Sequence, residues 1–214
     1  MGCATDDELH NDWQNQFSVI PRFCLLKISE LERLKIAQTL SHKQPTPFNL
    51  CTSRLLLREF IATDFVSLHT LLSCPRVMEF SGTGPLNQQQ THERLRNFIT
   101  SYTTHGFGKW AVVAADSGEL IGYCGVELTV VENVPVRELG FRYRPEFWGK
   151  GYAREAGGAV LKHCFGTLGW PEVLAFVEPE NMRSVQTLTK LGFRFQRAAQ
   201  WQHLQVHLYR ATPG

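Results

Sequence analysis

Two glycines flanking a lysine, in Trp148-Gly149-Lys150-Gly151-Tyr152-Ala153-Arg154-Glu155, are the residues of this sequence best suited to hold an anion. The stretch follows a β-prone run, Glu138 to Tyr143, and a turn at Pro145. It leads into residues 152–165, where small and apolar side chains recur at helical spacing. A strand, a glycine-rich turn and a helix start aim several unpaired N–H groups and the positive end of the helix dipole at one point. Lys150 and Arg154 add two cationic side chains. The expected chemistry is phosphate binding; the plainer alternative is that Gly149 and Gly151 only permit a tight turn. Two common phosphate motifs are excluded. No Gly-x-x-x-x-Gly-Lys-Ser/Thr run occurs, and Arg154 stands where a dinucleotide fingerprint starting at Gly149 needs Gly or Ala.

Other chemistries find less support. The formal charge of +2 is too small to make nucleic acid or an acidic membrane the expected partner. Six scattered cysteines form no Cys-x-x-Cys pair, which argues against a metal site or a disulfide framework and suits reduced thiols in a cytoplasm. His203 and His207 lie four apart on an expected strand, ~13 Å, too far to share a metal. No window approaches the ~18 consecutive apolar residues of a membrane span. No metal is expected.

The elements that must position the glycine turn can be placed from residue pattern. Residues 1–50 read as an N-terminal extension with one helix, opened by a Ser29/Glu32 capping box with Leu31, Leu34, Ala37 and Leu40 on one side. Residues 51–214 read as the main domain. Its expected elements are a strand at Arg54–Glu59, a helix from Thr63 to Leu72, an irregular loop from Ser73 to Gln90 and a helix from Thr91 to Gly106. A hairpin at Lys109–Thr129 turns at Asp116-Ser117-Gly118. A turn near Asn133–Pro135 leads to a strand at Arg137–Tyr143. After the glycine turn come a helix, a strand at Val173–Val177, a helix from Asn181 closed by Gly192, and strands at Phe193–Arg197 and Trp201–Tyr209. Gly122 and Gly125 mark a bulge or a close approach. This order indicates an α+β (mixed α/β) sheet domain.

The segment from Glu138 to Ala156, with its Trp-Gly-Lys-Gly-Tyr-Ala-Arg core, resembles the acetyl-CoA-binding segment of the GNAT superfamily of N-acetyltransferases. It is closest to the branch of ribosomal-protein N-terminal acetyltransferases (RimJ/RimL-like). Thr52–Arg58, Gly108–Val113 with Gly118–Tyr123, Asn181–Ser184 and Lys190–Phe193 extend the resemblance, which leaves only residues 1–50 outside. It implies a mostly antiparallel twisted sheet with helices on both faces and acetyl-CoA between splayed central strands. By position, the strand backbone of Phe141, Arg142 and Tyr143 would hold the pantetheine arm. Trp148, Gly149, Lys150, Gly151, Tyr152, Ala153 and Arg154 would surround the pyrophosphate, and Asn181 would contact cofactor or substrate.

The implied reaction is acetyl transfer from acetyl-CoA to a primary amine, in first place a protein or peptide N-terminal α-amine. Small-molecule amine acetylation and a non-catalytic module binding CoA or peptide are the alternatives. A homodimer is carried as an expectation. Acetyl transfer needs a base, oxyanion stabilisation and a proton for the thiolate. Glu138 is the first candidate base, with Glu127 and Glu178 behind it. Many family members carry a tyrosine acid seven residues after the motif's Asn, but that position here is Leu188. Ser184 is the alternative acid, or only part of a helix start, and Asn181 is either a ligand or a plain N-cap.

Overall fold

The computed structural model describes residues 48–214, so the helix expected at Ser29–Leu40 lies outside the described residues. Chain order gives β1 (Asn49–Cys51), β2 (Leu55–Arg58), α1 (Phe65–Leu72), α2 (Pro75–Met78), α3 (Gln88–His105), β3 (Lys109–Ala114), β4 (Leu120–Val131) and β5 (Val134–Tyr143). It continues with α4 (Tyr152–Gly166), β6 (Val173–Val177), α5 (Met182–Lys190), β7 (Arg194–Trp201) and β8 (Leu204–Ala211). The eight strands form one sheet in the order β1-β2-β3-β4-β5-β6-β8-β7, antiparallel except where β5 meets β6. This is the mixed sheet that the element order requires.

Strand alternation divides the core into two layers. One face carries Leu55, Leu57, Val112, Cys124, Val126 and Leu139, packed on Ala156, Val160 and Cys164 of α4 and Leu188 of α5. The other carries Ala111 and Tyr123 under Leu68, Leu71, Leu95 and Phe98 of α1 and α3. Helices therefore cover both faces. Gly157 lets α4 sit close to the next helix, because a Cβ there would lie 2.7 Å from Leu191. At Gly122 a Cβ would lie 2.2 Å from the Arg142 carbonyl oxygen, so the close approach expected there is present.

Four boundaries differ from the sequence reading. The loop Ser73–Gln90 contains the short helix α2 and the start of α3. That start precedes Thr91 because Asn87 and Gln90 form a reciprocal box: each side-chain oxygen accepts from the other's backbone N–H at 2.9 Å. The turn before β5 is the pair Glu132–Asn133, both at positive φ, as a two-residue hairpin demands. Pro135 therefore lies inside β5, which begins at Val134. Trp201 ends β7 rather than opening the last strand, and Gln202 and His203 form the turn, so His203 is not on a strand.

No helix among the described residues is long and apolar enough to cross a membrane.

Candidate acyl-transfer site

β5 and β6 pair at one position only, Glu138 with Leu174. Past that point no ladder joins them, so a gap opens between the C-terminal halves of the two strands. The opposite edge of β5 is fully paired with β4, and Arg144 N–H donates to Ile121 O at 2.9 Å. Antiparallel hydrogen bonding alternates along a strand. The peptide groups of Gly140 and Arg142 are thus engaged by β4, while those of Phe141 and Tyr143 point into the gap. Three consecutive residues were expected to line it; the alternation of the ladder turns the middle one away. The Arg142 guanidinium instead donates to the Tyr123 hydroxyl at 2.8 Å, on the face covered by α1 and α3.

The glycine turn closes the end of the gap. Trp148 donates its indole N–H to Tyr143 O at 2.7 Å, which ties the turn to the end of β5. Gly149 and Gly151 take φ of 73° and 82°, the left-handed region where a side chain is strained. Gly151 caps α4, and the first helical bond is Glu155 N–H to Gly151 O at 3.0 Å. Among the described residues, no protein acceptor meets the N–H groups of Gly149 through Arg154. Six consecutive donors at a helix N-terminus, with the charged side chains of Lys150 and Arg154 beside them, match the chemistry of a diphosphate. Peptide groups along a strand edge match the amides of a pantetheine arm. The residues present fit coenzyme A.

A hydrogen-bonded clamp positions this turn. The Glu155 carboxylate accepts from Thr52 Oγ1 (2.6 Å), Ser53 Oγ (3.1 Å), Arg54 N–H (3.0 Å) and Arg54 Nε (2.7 Å). Arg54 also donates to Lys150 O at 3.1 Å. Partial burial would raise the Glu155 pKa, but these donors outweigh it and hold it below the ordinary carboxylate range. The loop before β2 is thereby fastened to the first turn of α4.

On the α1/α3 face, at the root of the gap, lies a buried charge cluster. Lys109 Nζ is 2.7 Å from Glu138 Oε2 and 3.5 Å from Glu127 Oε1. The Lys109 side chain is 3% exposed, Glu138 11% and Glu127 37%, so only Glu127 opens to solvent. The lysine reaches its partners because position 140 is glycine: a Cβ there would lie 2.5 Å from Lys109 Nζ. Burial pushes the ammonium pKa down, yet the two carboxylates more than offset that and raise it. Burial likewise raises Glu138, against the pull of Lys109, which it shares with Glu127, and of Arg142. Glu138 is therefore not at the start of its strand but in the middle, ion-paired at the one β5–β6 bridge.

Asn181 caps α5, its side-chain oxygen accepting from Ser184 N–H at 3.2 Å. Ser184 is half-buried and shares a helix face with Leu188, which is buried in the core. Glu178 follows β6 directly, and its carbonyl accepts from Asn181 N–H. Tyr143 contributes its peptide group to the gap, while its side chain points into the α4 layer with the hydroxyl buried and without a partner among the described residues. Tyr143→Phe removes that orphaned hydroxyl and is expected to stabilise the fold by about 1 kcal/mol. Coenzyme A affinity should stay within twofold, checked by thermal melts and calorimetry; a large affinity loss would refute the backbone role.

The sequence reading did not single out Lys109, Arg54 or Glu155 as site residues. Lys109 carried one signal, a charge between Gly108 and Trp110 in an otherwise apolar strand. Among the described residues no group of three or more His, Cys, Asp or Glu is placed to hold a metal.

Comparison with known proteins agrees with this geometry. The acetyltransferase (GNAT) domain family matches residues 54–194. The N-acetyltransferase YnaD of Bacillus subtilis, itself uncharacterised, is 29% identical over 146 residues, 68% of this chain and 82% of that protein. The FsC-acetyl coenzyme A-N(2)-transacetylase of Aspergillus fumigatus is 32% identical over 128 residues, 55% of this chain and 53% of that protein. Among solved structures, RimL, a ribosomal L7/L12 alpha-N-protein acetyltransferase in complex with coenzyme A, superposes with a TM-score of 0.66. It covers 77% of this chain and 98% of that one at 15% identity, a likeness of fold.

Proposed function

The chain belongs to the GNAT acetyltransferase family, and from that premise we propose that it acetylates the N-terminal α-amine of a protein or peptide. Acetyl-CoA is the acetyl donor of this N-acetyltransferase. Bound, it supplies a thioester whose carbonyl carbon a neutral amine can attack. Phe141 and Tyr143 hold the pantetheine arm through their peptide groups, and the N–H groups of Gly149 to Arg154 hold the diphosphate.

The observation that carries the reading is the Glu127–Lys109–Glu138 cluster at the root of the gap. Two carboxylates and one ammonium leave a single negative charge, and Glu127 is its open end. A cationic amine is drawn there, and the cluster takes its proton through Glu127, with Glu138 held behind it by Lys109. The C–N bond then forms as the C–S bond breaks, and the nitrogen releases its second proton to solvent. Ser184 relays a proton from solvent to the departing thiolate, and Asn181 holds the helix start that presents it.

Carboxylates are weak bases, which favours one class of acceptor. An α-amine with pKa ~7.8 loses its proton at pH 7 for about 1 kcal/mol, whereas lysine at ~10.4 requires between about 4 and 5 kcal/mol. The fold likeness to RimL, named as an alpha-N-protein acetyltransferase, points the same way. A small-molecule amine is the second reading, favoured by the likeness to the FsC N(2)-transacetylase.

Thiol release with a panel of peptides and small amines tests the assignment. Peptides with free N-termini should turn over and their N-formylated forms should not; turnover confined to small amines would replace the peptide reading. Glu127→Gln is expected to lower kcat/KM about 100-fold near pH 7, the contribution of a general base. The deficit should shrink as pH rises and the amine loses its proton to solvent unaided. A deficit constant across the pH–rate profile would move the base elsewhere.

A further inference from the structure

Two guanidinium groups rest on one indole beside the phosphate row. Arg183, the second residue of α5, lies 4.8 Å from the Trp148 ring centroid, and Arg76 of α2 lies 5.4 Å from it. Both arginines are exposed, and among the described residues neither guanidinium forms an ion pair or hydrogen bond. Arg54 stands in contrast: its charge is taken up by Glu155.

Like charges on a single ring repel, and a cation–π contact at an exposed ring is a weak compensation. An arrangement of this kind is relieved by an anion that both guanidiniums can share. Its place limits what that anion is. Trp148 immediately precedes the row of free N–H groups, and its indole is pinned to Tyr143 O at the edge of the gap. The diphosphate of coenzyme A already has its donors in the row from Gly149 to Arg154. The cations on Trp148 are brought by α2 and α5 to the ring of the residue that precedes that row. A coenzyme A molecule held by the gap and the row has one further phosphate, for which the row supplies no donors. That phosphate is a monoester, close to dianionic at neutral pH, and planar guanidiniums bind such a group through paired hydrogen bonds.

We propose that Arg76 and Arg183, arrayed on Trp148, form a second anion site that takes the 3′-phosphate of coenzyme A and makes the enzyme selective for the phosphorylated cofactor. The proposal rests on acetyl-CoA as donor and is independent of the acceptor amine. It also joins the cofactor to the segment between α1 and α3, because Arg76 belongs to that segment.

Calorimetric titration with coenzyme A and with 3′-dephospho-coenzyme A tests it without any acceptor. The native protein should bind coenzyme A at least tenfold more tightly than the dephospho form. Arg76→Gln and Arg183→Gln should each reduce that ratio, and the double variant should bring it within twofold of unity, with dephospho-coenzyme A affinity unchanged. Both sites are exposed, and unaltered melting curves will confirm that the variants fold. A native ratio below twofold, or equal losses for both ligands in the variants, would overturn the proposal. So would an unchanged ratio accompanied by a raised KM for the amine, which would assign the arginines to the acceptor. Failure to bind either ligand would overturn the cofactor site itself.

Discussion

Gly151→Glu is expected to weaken coenzyme A binding about 100-fold or more. The added carboxylate would lie at the helix cap, beside the row of N–H donors proposed to receive the diphosphate. At ~5 Å and an effective dielectric constant of about 40, each of two phosphate charges is repelled by ~1.7 kcal/mol. Together these amount to about 3 kcal/mol, or ~150-fold in affinity. A second cost is conformational. Gly151 sits at φ 82°, and any side chain there adds roughly 1–2 kcal/mol of backbone strain. Gly151→Ala carries that strain without the charge. Its nearest neighbour would be Arg54 Nη2 at 3.5 Å, an ordinary contact. Alanine should therefore lower the melting temperature while changing affinity less than about tenfold. Undiminished binding by the glutamate variant would remove the diphosphate from this turn.

Lys109→Met is expected to cost 3–5 kcal/mol of stability at neutral pH, the usual penalty for leaving a buried charge without its partner. Glu138 is the stranded group, and the sign of the pH dependence follows from it. Without the lysine, its pKa in the folded protein rises further above the unfolded value. The protein is then most stable where Glu138 is protonated in both states, below about pH 4. The deficit relative to the native chain grows as pH rises from there toward the folded-state pKa. Denaturant unfolding at pH 4.5 and 7.5 reads this difference directly. Adding Glu138→Met should recover most of the loss, because two apolar side chains can fill the space of the pair. A pH-independent loss would mean that packing, rather than charge, is what Lys109 supplies.

Local chemistry was legible in the sequence; register was not. The glycine turn could be read because strand end, glycines and helix start lie within twenty residues of one another. The αL cap at Gly192 and the Asp116–Gly118 turn were visible for the same reason. The charge cluster depends on β3, β4 and β5 lying side by side in one alignment, so that Gly140 stands open where the Lys109 side chain must pass. Nothing in any single segment announces that. The Glu155 clamp joins residues about a hundred positions apart. The early start of α3 is less legible for a smaller reason: its box is built from two amides, Asn87 and Gln90, rather than a hydroxyl and a carboxylate.

The two-sidedness of β5 also bears on how such an enzyme can change its trade. Odd-numbered residues turn main-chain atoms, which every amino acid possesses, toward the gap, whereas even-numbered residues turn their side chains to the face covered by α1 and α3. Position 142 can therefore be rewritten over generations, or in a library, without touching the main-chain atoms that face the gap, whereas position 138 can change only together with Lys109, its buried partner. On the proposed function, appetite for new amines can drift on a strand whose hold on the donor is indifferent to the lettering.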